Sequence, residues 1–567
     1  MNARRFRLRL PAVLFAALAL VACGGEEELP PSGVLVTLDT TNYGALDVYG
    51  KDRDITPALD SLAAEGVVYD RAYTTTPMTL PSHTSMLTGL YPLRHGVRDN
   101  GLMELTPEAE TLAEMASEVG FETAAFIAAK VISSPYGLAQ GFDHYDEPGQ
   151  HASPKVVRHI QHRNAPFVTE RAVEWLKGRE DKQRPFFMWV HYFDPHLPYE
   201  PPPQFLDLAG GLPYLGEVAS MDASVAELLE ALRSETDYDR LMIAVVADHG
   251  EALGRHGEPT HSAFIYDDTV HIPFILRFPH ARRAGERSEE IVSVVDLLPT
   301  FAEELGLVGP DDIDGLSLSQ PGVPEDRGVY VESYTGYLNF GWSPLAAWVD
   351  SGGKYLHSSN PELYDLNTDP KETKNLIAER PEEAARLRSA IAELQEKPRL
   401  ATGASVLLSE EQMRELRALG YAAVGDTEAE IIDPLEPCDR PAPNQRVGPY
   451  NAFTNALHLA YTGQQDEAII LLKSVIAENP NNLYAQEILG GVYIEAQRHD
   501  EALEHFEGLI TAGTERFAFH ASAGWLHQQK GNLEKAEEHF MAALTMRPTD
   551  VLMQARVREV QKLRARE

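Results

Sequence analysis

Residues 241–251 read LMIAVVADHGE. LMIAVVA has strand length and is apolar at every position, and it breaks at once into Asp248, His249, Gly250 and Glu251. Such a run suits a strand covered on both faces, as in a mostly parallel sheet layered by helices. An ionised carboxylate directly after a buried strand is costly unless something pairs with it. The stretch therefore predicts a helix-covered sheet with a charged cluster at its carboxyl edge, where sites form in open α/β folds.

The flanking sequence repeats the pattern. VLVTL (34–38) runs into Asp39, and PFFMWVHYF (185–193) runs into Asp194-Pro195-His196. TAAFIAA (123–129) and IPFILRF (272–278) are further runs of strand type. Between them lie amphipathic stretches such as TPALDSLAAEG, ETLAEMASEVG, VTERAVEWLKG and GEVASMDASVAELLEALRS. Alternating strands and helices predict an α/β domain over residues 33–325, with a mostly parallel sheet and helices on both faces. From 326 the strands GVYVES, LAAWVDS, GKYLHSS and ELYDLNTDP follow closely, as in a small antiparallel sheet, with a helical acidic extension to residue 425. The Pro-rich IIDPLEPCDRPAPNQ marks residues 426–447 as an inter-domain linker. Residues 448–567 repeat: DEAIILLKSVIAENP, DEALEHFEGLITAGT and EKAEEHFMAALTMRP align Ala468, Ala502 and Ala536 at a spacing of 34. A helical period of that length with small residues at fixed places resembles the tetratricopeptide repeat, an all-α stack that either offers a protein or peptide partner a concave face or packs over the active site to restrict access.

The chain has 567 residues, 43% of them hydrophobic and 8% aromatic, enough for a large core. With 49 basic and 86 acidic residues its formal charge is -37, which argues against a nucleic-acid partner and suits divalent cations. Residues 1–22 have the charged, apolar, small-residue order of an export signal, and the apolar run is too short to span a bilayer. LVAC, ending at Cys23, resembles the lipobox of bacterial lipoproteins, in which this cysteine is lipidated and begins the mature chain. The expectation is an exported protein anchored to the cell-envelope membrane at Cys23, with 23–32 as a tether, or plain secretion if Cys23 is not lipidated. Cys438 then has no partner for a disulfide.

Two acids and an imidazole, Asp39, Asp248 and His249, make an oxygen/nitrogen set suited to one divalent cation, Ca²⁺, Mg²⁺, Mn²⁺ or Zn²⁺. Residues 76–89, TPMTLPSHTSMLTG, place Thr79 just before Pro81 and Ser82, which suit the first turn of a helix. Free N–H groups there favour negative charge beside the Thr79 hydroxyl, a candidate nucleophile; the alternative is a threonine that caps the helix.

TLPSHTSMLTG together with ADHGEALGRHGE, HYFDPHLPY, GFDHYD, VVDLLPTF and ELYDLNTDP resembles the sulfatase family of the alkaline phosphatase superfamily, in family order from about 33 to 420. The resemblance implies the alkaline-phosphatase-like fold and hydrolysis of sulfate or phosphate esters, as small substrates, at a metal centre. It implies Asp39, Asp248 and His249 as metal ligands and Thr79 as nucleophile. His196 is implied as a contact to the transferred group and His261 as a helper in charge or proton transfer. His83 and Asn100 are the candidates for contacts to substrate oxygens. The sequence also departs from the family pattern. The C/S-x-P-S-R segment that matures to formylglycine is here Thr79-Leu80-Pro81-Ser82-His83. Oxidising a secondary alcohol gives a ketone, so no formylglycine is expected. The second Asp of the usual pair is Thr40, and the Lys of GKWH is Ala128. A threonine nucleophile at a metal is the pattern of relatives that act on phosphate esters, so phosphate is favoured. A sulfuric ester hydrolase with an atypical nucleophile, and a catalytically degenerate scaffold that works through its repeats, are the alternatives.

Overall fold

The computed structural model describes residues 29–50, 53–101, 103–149, 163–401, 403, 431–548 and 550–566. The export and lipidation reading of residues 1–23, and the extension over 404–430, lie outside the described residues. The main sheet has eight strands: β1 (Gly33–Leu38), β2 (Val67–Tyr73), β3 (Glu122–Phe126), β4 (His144–Asp146), β5 (Phe186–Tyr192), β6 (Met242–Ala247), β7 (Phe274–Arg277) and β8 (Glu286–Ser293). Their spatial order is β4-β3-β5-β1-β6-β7-β2-β8. Every pairing is parallel except those of β7, which runs antiparallel to both β6 and β2. The reversal follows from the connection: between β6 and β7 the chain carries no crossover helix, only the short turns Arg255–Gly257 and Asp267–Val270. A parallel return needs a long crossover, so the chain comes back the other way.

Helices Pro57–Ala64, Leu112–Glu118, Ala165–Gly178 and Pro213–Glu235 coincide with the amphipathic stretches. Thr111 and Glu114 form a capping box that starts the second of these. Strands β2, β4 and β8 have no apolar run to announce them. VVYDRAY and ERSEEIVS carry charges, HYD is three residues long, and β4 and β8 are the two sheet edges, where charge keeps strands from pairing further. A second, fully antiparallel sheet follows, from β9 (Val329–Ser333), β10 (Leu345–Asp350), β11 (Gly353–His357) and β12 (Glu362–Tyr364). It is tied to the first domain by a buried ion pair in which Arg98 Nε donates to Glu332 Oε1 at 2.7 Å, with the guanidinium over the Tyr334 ring.

The C-terminal region is a stack of helices, Val447–Tyr461, Gln465–Glu478, Leu483–Glu495, His499–Thr511, Phe517–Gln529, Leu533–Met546 and Val551–Arg564. Ala468, Ala502 and Ala536 are fully buried. The 34-residue spacing recurs in a second contact: a Cβ on Gly490 would sit 2.1 Å from the Phe506 ring, and one on Gly524 would sit 2.7 Å from the Phe540 ring. The stack is not held at a distance. Its Tyr450, Phe453 and Tyr484 share one apolar cluster with Phe264, Phe340 and Trp342 of the preceding region, and Asn479 Nδ2 donates to the Phe340 carbonyl at 2.7 Å. Gly524→Val is expected to overpack the Phe540 contact and cost about 1–3 kcal/mol. Urea unfolding of the full chain, followed by far-UV circular dichroism, reads this as a lower midpoint for the repeat transition; an unchanged midpoint contradicts the contact.

Candidate active site

Parallel register builds the site. Leu38 at the end of β1 lies opposite Ala247 of β6 on one side and Tyr192 of β5 on the other, so Asp39 and Asp248 leave the sheet side by side. Both are fully buried. Asp248 Oδ1 accepts from the His249 N–H at 2.7 Å and the Thr40 N–H at 3.3 Å. Asp248 Oδ2 and both Asp39 oxygens have no hydrogen-bond partner. His249 Nδ1–H donates to the Gly250 carbonyl at 3.0 Å, which turns the lone pair of Nε2 toward Asp39 Oδ1 at 3.6 Å and Asp248 Oδ2 at 3.7 Å. One ligating atom each of Asp39, Asp248 and His249 lies within 4.8 Å of the other two. Partnerless buried carboxylate oxygens facing a neutral imidazole fit a divalent cation, which would satisfy all of them at once. Burial, and after it the charges of Asp248 and Glu251, pushes the Asp39 carboxyl well above its usual range. Burial does the same to Asp248. Burial, with His261 next, holds His249 well below the usual imidazole range and so in its ligating form.

Thr79 opens the helix Thr79–Thr88, and its Oγ1 is 3.5 Å from His249 Nε2. Ser82 Oγ donates to the Asp248 carbonyl at 2.8 Å, pinning this helix to the end of β6. His83 Nδ1–H donates to the Thr79 carbonyl at 2.7 Å, while Nε2 accepts from the Thr37 hydroxyl at 3.0 Å. Thr37 in turn accepts from Trp189 Nε1–H at 2.9 Å, so a relay runs from Trp189 through Thr37 and His83 to the Thr79 backbone. Burial pushes the His83 pKa down to about 4, and the ring stays neutral. Asn100 Oδ1 accepts from the Leu80 N–H at 2.8 Å, and its Nδ2 has no partner. His83 and Asn100 were expected to meet substrate oxygens; their hydrogen bonds instead lock the Thr79–Leu80 backbone, leaving Asn100 Nδ2 as the donor still available.

His196 stacks on Phe193 with centroids 4.4 Å apart, donates from Nδ1 to the Leu197 carbonyl at 2.8 Å, and meets His261 edge-on at 5.2 Å. The His261 ring lies 4.5 Å from that of His249, with Nδ1 3.2 Å from Glu251 Oε1. The structure thus brings Thr79, Asp39, Asp248, His249, His196 and His261 to one place. Asp194 differs: its Oδ2 accepts from the Ala165 N–H at 2.7 Å, so the third strand-end acid caps a helix. Two groups escaped the sequence reading. Glu251 holds His261 and accepts from the Tyr199 hydroxyl at 2.9 Å. His191 Nδ1 accepts from the Ala128 N–H at 3.3 Å, which leaves Nε2–H facing Asp39 Oδ2 at 3.7 Å. A lone imidazole inside the apolar run FFMWVHY was the signal for it. A second set of ligating atoms, from His83, His191 and Asp248, is equally compact, but the hydrogen bonds above commit both imidazoles as donors on that side. The repeat stack reaches the site's back wall: the Tyr450 hydroxyl donates to the His261 carbonyl at 3.4 Å.

Residues 31–307 match the sulfatase family, and residues 518–550 match the tetratricopeptide repeat. The chain carries a sulfatase-family hydrolase domain. Among its relatives is an N-acetylglucosamine-6-O-sulfatase of Bacteroides thetaiotaomicron, 24% identical over 487 residues, covering 64% of this chain and 86% of the relative. An N-acetylgalactosamine-6-sulfatase of Rattus norvegicus is 27% identical over 366 residues, covering 56% of this chain and 69% of the relative. The fold is also that of the phosphonate monoester hydrolase of Agrobacterium radiobacter, at 20% identity and a TM-score of 0.54 over 64% of this chain and 95% of the other. A structure solved with D-glucosamine-2-N,6-O-disulfate as its substrate gives a TM-score of 0.56 at 23% identity over 65% and 97%. The sulfatase domain should respond to cations in a pH-dependent way. Raised carboxyl pKa values mean that the folded state binds more protons than the unfolded one. Asp39 and Asp248 therefore cost metal-free protein stability as pH rises above the ordinary carboxylate range toward their raised values. A divalent cation removes that cost, so added cation is expected to raise Tm more at about pH 8 than at about pH 5, and Asp248→Asn is expected to shrink the difference. Equal shifts at both pH values contradict cation binding at these two acids.

Proposed function

We propose that the sulfatase-family domain hydrolyses or transfers phosphate esters through Thr79, with Asp39, Asp248 and His249 holding one divalent cation. The observation that carries this reading is the Thr79 hydroxyl, 3.5 Å from His249 Nε2 and beside two acids with unpartnered oxygens. When bound, the cation would supply Lewis acidity to the reacting ester and lower the proton affinity of a nearby hydroxyl. The helix that starts at Thr79 adds the partial positive charge of its first turn, and Asn100 Nδ2 adds a donor for a substrate oxygen. Thr79 Oγ gives up its hydroxyl proton and forms a bond to phosphorus as the bond to the leaving oxygen breaks, and the leaving oxygen takes up a proton. His196 and His261, beside His249, are assigned to moving the two protons of this step. The resulting threonine ester is then cleaved by water or an acceptor alcohol, since no carbonyl collapse can release it.

A phosphorus-centred reaction has a precedent in a neighbour of the same fold, the phosphonate monoester hydrolase. Sulfate esters are the second reading, favoured by relatives whose names are those of sulfatases. The repeats are proposed to bind a protein or peptide, and Cys23 to anchor an exported chain to the membrane. Thr79→Ala is expected to lower turnover of an aryl phosphate mono- or diester or a phosphonate monoester by about 10³-fold or more, with Thr79→Ser retaining part of it. Turnover restricted to aryl sulfates and untouched by either substitution overturns the phosphoryl-transfer reading.

A further inference from the structure

A second set of metal-ligating side chains lies in the repeat stack, remote in sequence from the hydrolase site. It straddles the boundary between consecutive repeats: Glu507 on helix His499–Thr511, His520 and His527 on Phe517–Gln529, and His539 on Leu533–Met546. One ligating atom each of Glu507, His527 and His539 lies within 4.8 Å of the other two. His527 Nε2 is 2.9 Å from Glu507 Oε1, and the His527 and His539 rings lie nearly parallel, at 12° with centroids 5.5 Å apart. We propose that Glu507, His527 and His539 bind a borderline transition-metal ion of the Zn²⁺ class, with His520 and Glu515 as the groups that orient it.

The hydrogen bonds decide which lone pairs are offered. Glu515 Oε2 lies 2.8 Å from His520 Nε2, and a carboxylate can only accept, so this nitrogen carries the proton and His520 Nδ1 is an acceptor. His539 Nδ1, 3.1 Å away, must then be the donor, which leaves its Nε2 as a lone pair. A ligating imidazole whose other N–H is held by a chain ending in a carboxylate is the arrangement that orients metal-bound histidines. Burial, with the neighbouring His520 and His527 next, also lowers the His539 pKa and keeps it neutral. On His527 the ion takes the Nε2 lone pair that forms when the ring changes tautomer: the proton now shared with Glu507 moves to Nδ1, where reversal of the Asn532 amide, 3.4 Å away, accepts it, and no proton is released. Lys535 Nζ, 3.2 Å from Glu507 Oε1, is exposed and is displaced to solvent. Two imidazoles and one carboxylate favour Zn²⁺, Co²⁺ or Ni²⁺ over the hard cations, and their ligating atoms, within 4.8 Å of one another, close around the ion to reach metal–nitrogen bonds of about 2.1 Å. Such an ion would pin neighbouring repeats together.

The test is equilibrium dialysis of the full-length protein against Zn²⁺, with metal counted by mass spectrometry, comparing wild type with His539→Ala and Glu507→Gln. Far-UV circular dichroism checks that each variant is folded, and neither residue belongs to the hydrolase site. The wild type is expected to bind one more equivalent than either variant. Asp248→Asn is expected to keep that equivalent. Equal stoichiometry and affinity in the wild type and both variants overturn the proposal.

Discussion

Two carboxylates held side by side without partners are the constraint on which the hydrolase domain depends. Asp39 and Asp248 stand at the ends of neighbouring strands in fixed parallel register, and three of their oxygens make no hydrogen bond. Leaving such groups buried costs several kcal/mol unless a proton or a cation meets them. The rest of the site is arranged around that demand. His249 is kept neutral with its lone pair inward, Thr40 and His249 give backbone N–H groups to the one satisfied oxygen, and the Thr79 helix is pinned to the carbonyl of Asp248 itself.

The departures from the family pattern form one chemical change. The cationic groups that the resemblance leads one to expect, an Arg and a Lys, are His83 and Ala128. Burial keeps His83 neutral, and Ala128 contributes a backbone N–H to His191. Thr40, in place of a second acid, adopts a left-handed backbone with φ of 51° and turns its N–H onto Asp248. One acid and two cations are thus replaced by neutral groups, which leaves the site one unit more negative than the pattern the resemblance implies. The Trp189–Thr37–His83 relay then sets the position of the Thr79 backbone without charge.

The repeat stack is a structural part of the same body. Its first helix supplies Tyr450, which packs edge-on against Phe264 and touches the carbonyl of His261, so the loop that carries a proposed proton-transfer group rests on the repeats. The described part of the Pro-rich linker read at 426–447, from residue 431 on, leads directly into this shared apolar cluster.

By itself the sequence determined the layered α/β class, the site edge and the repeat period. These depend on local patterns: apolar runs that end in Asp39 and Asp248, and small residues such as Ala468 and Ala502 at a constant spacing. It was silent on β2 and β8, whose charges suit edge or half-covered strands, and it could not foresee the reversal of β7, which depends on the absence of a crossover helix. Among site residues, Asp194 reads the same as Asp39 in sequence; only the fold decides that one meets a helix N-terminus and the other stands buried and unpartnered beside Asp248 and His249. The hydrogen-bond partners of His83, Asn100, His191 and Glu251 were likewise decided only by tertiary structure. A hydrogen bond joins atoms that the chain keeps tens or hundreds of residues apart, and no local pattern records which of them folding brings within 3 Å.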